Sequence, residues 1–384
     1  MEQINPTVNR DVLPIKKTKK YAGEVVYIFA FDIAYELQIP KIKELFEQPI
    51  AEFGLDISKR SPKQLLLHRS YMVRLPPIER IGPDGLIQVS RNVKLFQVGA
   101  ISITVRVPFE VDHFSELVRY HDLEFKSGPL YDEVKTLANQ VLEKLKPYCV
   151  RPVNQIGDEE AYTVFCINSP VLDSQMEPVN TEIWFKSHRR QIASLLTQEP
   201  DQSILSKQES DESTERYLTY YENDLVVIDW DAALIIDEPK DFDEVLYIME
   251  LANLHLAELE AYDKILDQSI DRAYNDLYMH ALFQRGNIMR DLREIKVDMT
   301  RISDELLNIT KFFGDWHLAR IYEIIASRFH LSDWYRIINE KLKTLGEIYQ
   351  LLYQDKMNQW MLILEFTIVL LFIIDLIVLI IGLP

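Results

Sequence analysis

The sequence is poor in glycine and cysteine, and it lacks the short motifs that mark common catalytic sites. Only 11 of its 384 residues are glycine. It contains no phosphate-binding glycine loop, no nucleophile elbow and no His-Glu-x-x-His pair. Cys149 and Cys166 are the only cysteines, so disulfides cannot stabilise a chain of this size and a reducing compartment is expected. We therefore expect no catalytic residue, no cofactor and no bound metal.

Positive charge is scarce relative to negative charge, which limits the partners that the chain can attract. Sixty Asp and Glu against 42 Lys and Arg give a formal net charge of −18 at pH 7. That balance argues against direct binding of nucleic acid and provides no broad attraction to anionic lipid. Residues 1–20 form a polar leader with a basic cluster, and this leader has no apolar core of the kind that a secretory signal needs.

One long apolar run stands out, from Trp360 to Leu383. Its 24 residues would form a helix of about 36 Å, enough to cross a hydrocarbon layer of about 30 Å. A buried core helix is the alternative, but a core helix of this length normally has a polar stripe. Lys341, Lys343 and Lys356 precede the run, so we expect residues 359–384 to be a single-pass tail anchor with the bulk of the chain in the cytoplasm.

Two carboxylates lie within this run, Glu365 near its start and Asp375 near its middle. A carboxylate at the bilayer centre costs about 2.5–3.5 kcal/mol on insertion scales, so such groups usually face protein or a water-filled path. Asp375 either bonds between copies of the helix and specifies a homo-oligomer, or belongs with Glu365 to a ring of acids that lines a cation route. We favour the first interpretation.

Ahead of the anchor, residues 21–240 alternate between short apolar runs and helical periodicity, which predicts an α+β domain. The predicted strands are 24–31, 64–75, 85–107 with a break at Gly99, 162–167, 224–229 and 232–236. The predicted helices are 40–53, 114–121, 130–146 and 192–196. At about 200–216 the sequence is rich in Ser, Asp and Glu without an apolar period, so a flexible acidic loop is expected there.

From 241 to 358 hydrophobic residues recur at helical spacing, which predicts a stalk of long antiparallel or coiled-coil helices. Seven of them alternate in steps of four and three and form a heptad seam: Ile288, Leu292, Ile295, Met299, Ile302, Leu306 and Ile309. Gly286 marks either a hairpin or a position inside one very long helix. A second seam, from Ile338 to Leu352, leads straight into the anchor. Such seams are buried either within the chain or by self-association.

Two groups of polar residues could carry chemistry. Asp229 and Asp231 flank Trp230 at a strand end, where they could form an acid/base pair or, as we expect, close a turn with Trp230 packed under the helices. His255, with Glu258 one turn away, could bind a metal but is more often a packed residue of a helix. The acidic residues of this helix are expected to be solvated: Glu250, Glu258 and Glu260.

The order of these residues along the chain is similar to that of a known family. The residues that carry the resemblance are Asp229, Trp230, Asp231, Asn253, Tyr262, Asp263, Trp316 and Tyr322, followed by Glu365 at the entry to the apolar run. In this order they resemble the required-for-meiotic-nuclear-division family. The resemblance extends from Tyr21 to the end of the sequence and is most specific from Asn223 onward.

The resemblance implies an α+β domain, long helices and a C-terminal membrane helix, with self-association into large complexes. Eukaryotic members are mitochondrial inner-membrane proteins that support translation, or act in sporulation and meiosis, and no catalytic residue is established for the family. His255 and Glu260 stand where the eukaryotic motif has Gln and Arg, and the sequence shows no mitochondrial transit peptide. These departures predict a bacterial member located in the inner (cytoplasmic) membrane.

We therefore expect a membrane-anchored, self-associating scaffold or interaction protein without catalysis, whose cytoplasmic partner is, by family analogy, associated with the ribosome. The alternative is an oligomeric cation channel or transporter that uses Asp375 and Glu365, although the Gly-Met-Asn motif of CorA-type channels is missing. An enzyme that uses Asp229 and Asp231 is the weakest hypothesis, since it would need a substrate-sized pocket beside them.

Overall fold

The structure is a computed structural model that describes residues 20–52, 70–83, 85–157, 159–173, 175, 177–279, 296–297 and 316–382. Its strands, in chain order, are β1 (Tyr21–Asp32), β2 (Ala34–Leu37), β3 (Glu44–Leu45), β4 (Gln48–Pro49), β5 (Ala51–Glu52), β6 (Ser70–Gly82), β7 (Gly85–Phe96), β8 (Ala100–Val111), β9 (Glu124–Phe125), β10 (Gly128–Pro129), β11 (Cys149–Pro152), β12 (Glu160–Asn168), β13 (Tyr217–Leu218), β14 (Leu225–Ile228) and β15 (Ala232–Asp237). Its α-helices are α1 (Leu130–Leu145), α2 (Thr181–Leu196), α3 (Lys207–Ser213), α4 (Phe242–Met279), α5 (Trp316–Arg328) and α6 (Leu331–Ile381).

Nine strands form one mixed sheet in the order β13-β14-β15-β12-β1-β8-β7-β6-β5. Only β12 and β15 run parallel to each other, and the other neighbours are antiparallel. The central strand β1 is an almost continuous apolar run that is buried on both faces, as expected for a strand covered from both sides. The outer strands β6 and β7 instead contain many polar residues and are partly exposed.

Helices cover the two faces of the sheet. On one face α1 and α2 bury their apolar sides against alternate residues of β1, such as Tyr27 and Phe29. On the other face α4, α5 and the first part of α6 pack against the intervening residues, such as Val26 and Ile28. Because successive side chains of a strand point to opposite faces of the sheet, the same strand contributes to two separate hydrophobic cores. The fold confirms a sheet-rich N-terminal region followed by helices.

The first half of α4 belongs to this globular unit. Residues 248–259 are buried all round, because the sheet lies on one side of the helix and α5 and α6 lie on the other. The expectation that the acidic residues of this helix are solvated is therefore wrong for Glu250 and Glu258, which are 3% and 6% exposed. A helix that is enclosed on all sides must pair or bond its charged groups.

The last helix, α6, runs without a break for 51 residues, or about 76 Å. Its first part contributes Leu331, Ile338 and Leu345 to the core shared with α4, so the described part of the second seam, as far as Tyr349, packs within the chain. The stretch Met357–Ile380 has a mean hydropathy of 2.9 and is exposed throughout, which makes it long and apolar enough to cross a membrane. The first seam, from Ile288 to Ile309, and Gly286 lie outside the described residues.

Two local predictions differ from the structure, and a third lies partly outside the described residues. The helix predicted at 40–53 is wrong: a short 3₁₀ turn is followed by β3, β4 and β5, with Phe46 and Glu47 in left-handed conformation at the tip of the β3–β4 hairpin. The acidic loop predicted at about 200–216 contains α3, which buries Ser210 and Ser213 and is capped by Ser206. The strand predicted from residue 64 is described only from Ser70.

The break at Gly99 is confirmed, and its cause is steric. Gly99 has a φ of +87° between β7 and β8, a value that favours glycine. A Cβ atom at this position would lie 1.8 Å from the backbone oxygen of Ala34. The tight crossing places β2 against the start of β8 and fixes the connection between the two long strands.

Candidate functional site: the helix-to-sheet junction and the membrane helix

Asp229 closes the turn between β14 and β15. Its Oδ1 accepts a hydrogen bond from the backbone N–H of Trp230 at 2.8 Å, and its backbone N–H donates to the carbonyl of Ala232 at 2.9 Å. The Tyr162 hydroxyl donates to the Asp229 carbonyl at 3.0 Å. The carboxylate therefore has a local structural partner and is only 5% exposed.

The same carboxylate forms an ion pair with the last residue of α5. Nε of Arg328 donates to Oδ1 of Asp229 at 2.9 Å, and Nη2 of Arg328 bonds to the same oxygen. Next to this pair, Trp230 is 45% exposed, so it does not pack under the helices as expected from the sequence. Its ring lies at the edge of the α5–α6 turn, 6.3 Å from Phe329 and 5.9 Å from His330 between ring centroids.

Asp231 lies on the other side of the turn, beside a cavity of about 490 Å³. His121 and Asp122 also line this cavity. Burial, together with the nearby charge of Asp229, raises the pKa of Asp231, whereas burial lowers the pKa of His121, whose Nε2 is bonded to the Leu195 carbonyl. Asp231 lines this cavity, whereas Asp229 does not.

Buried polar residues of α4 tie this helix to the sheet and to α5. Asn253 is 1% exposed and donates from Nδ2 to the backbone carbonyl of Glu160 at 2.9 Å. His255 is fully buried, and its Nδ1 lies 2.7 Å from the hydroxyl oxygen of Tyr322 on α5. Among the described residues, no group of three or more His, Cys, Asp or Glu side chains is placed to hold a metal ion.

The second half of α4 is joined to α6 by charge. Nζ of Lys341 on α6 lies 2.7 Å from a carboxylate oxygen of Asp263 and 2.5 Å from one of Asp267. The adjacent Tyr262 is partly buried against the core that α4 shares with α6. Trp316, at the start of α5, is 69% exposed and contributes little to this junction. The structure thus brings most residues of the sequence motif to one junction between sheet and helices.

The two acids of the apolar run lie apart from this junction, on the exposed part of α6. Glu365 and Asp375 are exposed, as are all neighbouring residues of the run. Ten residues separate them along the helix, which places them about 80° apart around its axis at ~100° per residue. Within the described part of one chain, nothing covers either carboxylate.

Comparison with known proteins assigns the sheet domain to a family. The sequence profile of the family described as "Uncharacterized protein MJ0711, N-terminal domain" matches residues 22–243. The chain belongs to this family. The matched region holds the whole sheet and α1 to α3 but ends at the start of α4, so the rest of α4, α5 and the membrane helix lie outside it.

A relative from Methanocaldococcus jannaschii, named "Uncharacterized protein MJ0711", is 26% identical over 250 residues. The alignment covers 65% of this chain and 73% of the relative. No solved structure gives a significant match to the chain. Neither match supports the required-for-meiotic-nuclear-division family or a bacterial origin, and both stay predictions.

One polar surface of the sheet was not predicted, although the sequence carries a signal for it. Along β8, Ser102, Thr104 and Arg106 alternate with buried apolar residues, and their partners on β7 are Lys94, Asn92 and Ser90. An alternation with period two places all six on one face of the sheet. Because β8 packs against α4, this polar face of the sheet lies next to α4.

Proposed function

We propose that this chain is a membrane-anchored, self-associating interaction protein without catalytic activity. The observation that carries the proposal is the continuity of α6, one helix that begins in the core of the sheet domain and ends as an apolar span. A domain held in this way moves with its membrane helix. The sheet domain would therefore keep a fixed orientation relative to the membrane surface.

Rigid attachment is supported by the contacts at the junction. Leu331, Ile338 and Leu345 of α6 are no more than 1% exposed in the core that they share with α4. Lys341 bonds both Asp263 and Asp267, so a charged contact adds to the apolar one. The Asp229–Arg328 pair fixes the end of α5 just before α6 begins. These contacts leave no flexible linker between the sheet domain and α6.

Self-association is supported by the chemistry of the span. Apolar residues of α6 are satisfied by lipid, but the carboxyl group of Asp375 is not, and it has no polar neighbour on its own helix within one turn. A second copy of the helix offers the nearest group that can share a hydrogen bond with it. We propose that Asp375 forms a hydrogen bond between two copies of the helix. This bond would bring the sheet domains of the copies together.

The cytoplasmic placement of the sheet domain is part of the same proposal. Lys341, Lys343 and Lys356 precede the span, and both cysteines of the sheet domain are free, as is usual in a reducing compartment. By resemblance to the required-for-meiotic-nuclear-division family, we propose translation machinery as the class of partner. The absence of catalysis is supported by Asp229, whose carboxylate is committed to a turn and an ion pair.

The copy number of the full-length protein in lipid nanodiscs tests this function. We expect mass photometry to find complexes of more than one copy, and we expect Asp375→Leu to convert them to single copies because the shared hydrogen bond is lost. Ile374→Leu, a neighbouring apolar exchange, is the matched control and should leave the complexes intact. A wild-type protein that is monomeric at all lipid-to-protein ratios would contradict the proposal.

A further inference from the structure

The end of the sheet at which β14 begins carries a group of exposed aromatic side chains. Tyr220 and Tyr221, in the loop before β14, are 58% and 66% exposed, and their ring centroids lie 4.7 Å apart. The ring of Tyr220 also lies 5.2 Å from that of His317, which follows the exposed Trp316 at the start of α5. A single exposed aromatic residue is ordinary, but a contiguous group is typical of an interaction surface.

Acidic residues lie next to these aromatic rings. Oδ1 of Asp224 accepts hydrogen bonds from the backbone N–H groups of Tyr220 and Tyr221 at 2.7 and 2.9 Å. β14 and β15 are antiparallel neighbours, so Asp224, just before β14, lies beside Asp237, the last residue of β15. Together with the acids that lead into α4, these residues form one surface, the end face: Tyr220, Tyr221, Trp316, Asp224, Asp237, Glu238 and Asp241.

The end face has an excess of negative charge. Lys240 forms an ion pair with Glu238 at 2.6 Å and compensates one of its four carboxylates. Burial raises the pKa of Asp237 to about 6, and the charges of Asp241, Asp224 and Glu238 add to that rise. Carboxylates that raise one another's pKa in this way are stabilised by a cation placed between them. The end face is therefore suited to cationic side chains.

A dense group of cations joins the sheet at the same end. Four of the five residues from Lys16 to Lys20 are lysine, and β1 begins directly after them; Lys20 is the first residue that the structure describes. β1 is antiparallel to β12, and β12 is parallel to β15, so the start of β1 lies two strands away from Asp237. At about 4.8 Å per strand this separation is about 10 Å, which about three extended residues can span.

The lysines leave the sheet at the end away from the membrane helix. α6 begins beside Trp230, at the opposite end of β14 from the end face. A basic segment next to a membrane can bind anionic lipid. Here, however, about 39 Å of helix separates the start of α6 at Leu331 from the start of the apolar span at Met357. The end face is therefore a closer acidic partner for the lysines than lipid is.

We propose that the basic segment Lys16–Lys20 binds to the end face of its own chain and covers it. The lysine ammonium groups pair with the carboxylates of Asp237 and Asp241, and the apolar stems of the lysines lie against the rings of Tyr220 and Tyr221. An ammonium group near the face of a tyrosine ring is itself favourable. A ligand that is tethered this closely acts at a millimolar effective concentration, so contacts that are individually weak are populated.

Disulfide formation between engineered cysteines in the full-length protein in detergent tests the proposal. Thr18→Cys places one thiol in the basic segment, Glu222→Cys or Asp112→Cys supplies the second, and Cys149→Ser removes a competing thiol. Glu222 lies in the loop before β14 at the end face, whereas Asp112 directly follows β8, one strand from Lys20 on the other side of β1. We expect the disulfide within one chain to form about threefold faster, or more, with Glu222→Cys than with the nearer Asp112→Cys. Equal rates, or a faster reaction with Asp112→Cys, would overturn the proposal.

Loss of the acids makes the test specific. Asp237→Asn/Asp241→Asn should slow the reaction with Glu222→Cys by about threefold or more, because two of the attracting charges are removed. Asp271→Asn, an exposed acid about 45 Å further along α4, should leave the rate unchanged. Sodium chloride at about 0.5 M should slow the reaction without any substitution in the end face, which keeps the test decisive even where the double variant fails to fold. A rate that neither change lowers would contradict the proposal.

The same reaction detects other occupants of the end face. Disulfides that join two chains, instead of forming within one, would overturn the proposal and assign the end face to the basic segment of a second copy. A synthetic peptide of residues 10–20 should slow the reaction with Glu222→Cys, whereas the same peptide with its four lysines changed to glutamine should not. Saturable binding of the lysine peptide without any preference of the Thr18→Cys thiol for Glu222→Cys would also overturn the proposal, since the end face would then serve a basic segment of another protein.

Discussion

Replacement of Arg328 by methionine is expected to lower the free energy of unfolding by about 3 kcal/mol. Asp229 is 5% exposed, and without Arg328 its carboxylate keeps no cationic partner among the residues that the structure describes. Breaking a buried ion pair from one side typically costs ~3–5 kcal/mol, and the lower end applies because the Arg328 side chain is 23% exposed. Urea unfolding of the full-length protein in detergent, followed by tryptophan fluorescence, measures the change.

Two further variants separate the ion pair from general effects of the substitution. Arg320→Met changes an exposed arginine on the same helix and should stay within about 0.5 kcal/mol of wild type. The double variant Asp229→Asn/Arg328→Met should be more stable than Arg328→Met alone, because the unpaired charge is removed together with its partner. Equal stabilities of wild type and Arg328→Met would show that the pair does not hold α5 to the sheet.

Removal of residues 357–384 is expected to release the whole protein from the membrane. The apolar part of α6 is exposed throughout, and no other helix in the described residues is long and apolar enough to span a membrane. A span of about 20 apolar residues makes insertion effectively irreversible, whereas surface contacts are extracted by alkaline carbonate. We expect the full-length chain in the carbonate-resistant pellet and the shortened chain in the supernatant.

The shortened chain should also remain folded, because the described core contacts of α6 extend only to Tyr349, ahead of the deletion. Its far-ultraviolet circular dichroism per residue and its unfolding midpoint check this point. Asp375→Leu in the full-length chain is the matched control and should stay in the pellet. Retention of the shortened chain in the pellet would mean that a different part of the protein attaches it to the membrane.

Elements with a strong local pattern were predictable from the sequence, and those decided by tertiary packing were not. The apolar run of β1, the amphipathic α1 and the anchor are each defined by their own residues. The segment 40–53 has apolar residues at helical spacing, yet the chain turns at Phe46 and Glu47 and buries Leu45 in a hairpin instead. In α3, Ser210 and Ser213 are buried by packing onto α2, which no periodicity in the segment indicates.

The contacts at the candidate sites join residues that are distant in sequence. Asp229 and Arg328 are 99 residues apart, and Lys94 and Glu250 are 156 residues apart. A single sequence shows each of these charges but not its partner. For this reason Glu250 was expected to be solvated. In the structure it lies on the enclosed part of α4 and forms an ion pair with Lys94 of the sheet. The polar face of β7 and β8 could have been predicted, because the alternation along β8 is local.

Oxidative cross-linking in native membranes tests most directly whether Asp375 faces a second copy. Single cysteines are introduced at Leu371 and Leu379, which lie within about 40° of Asp375 around the helix, and at Ile373 and Ile377, about 160° away. Cys149 is replaced by serine, and the buried Cys166 is kept. The account predicts covalent dimers for the first two positions, little for the other two, and loss of the dimers when Asp375→Leu is added. Equal cross-linking at all four positions, or none at Leu371 and Leu379, would contradict it.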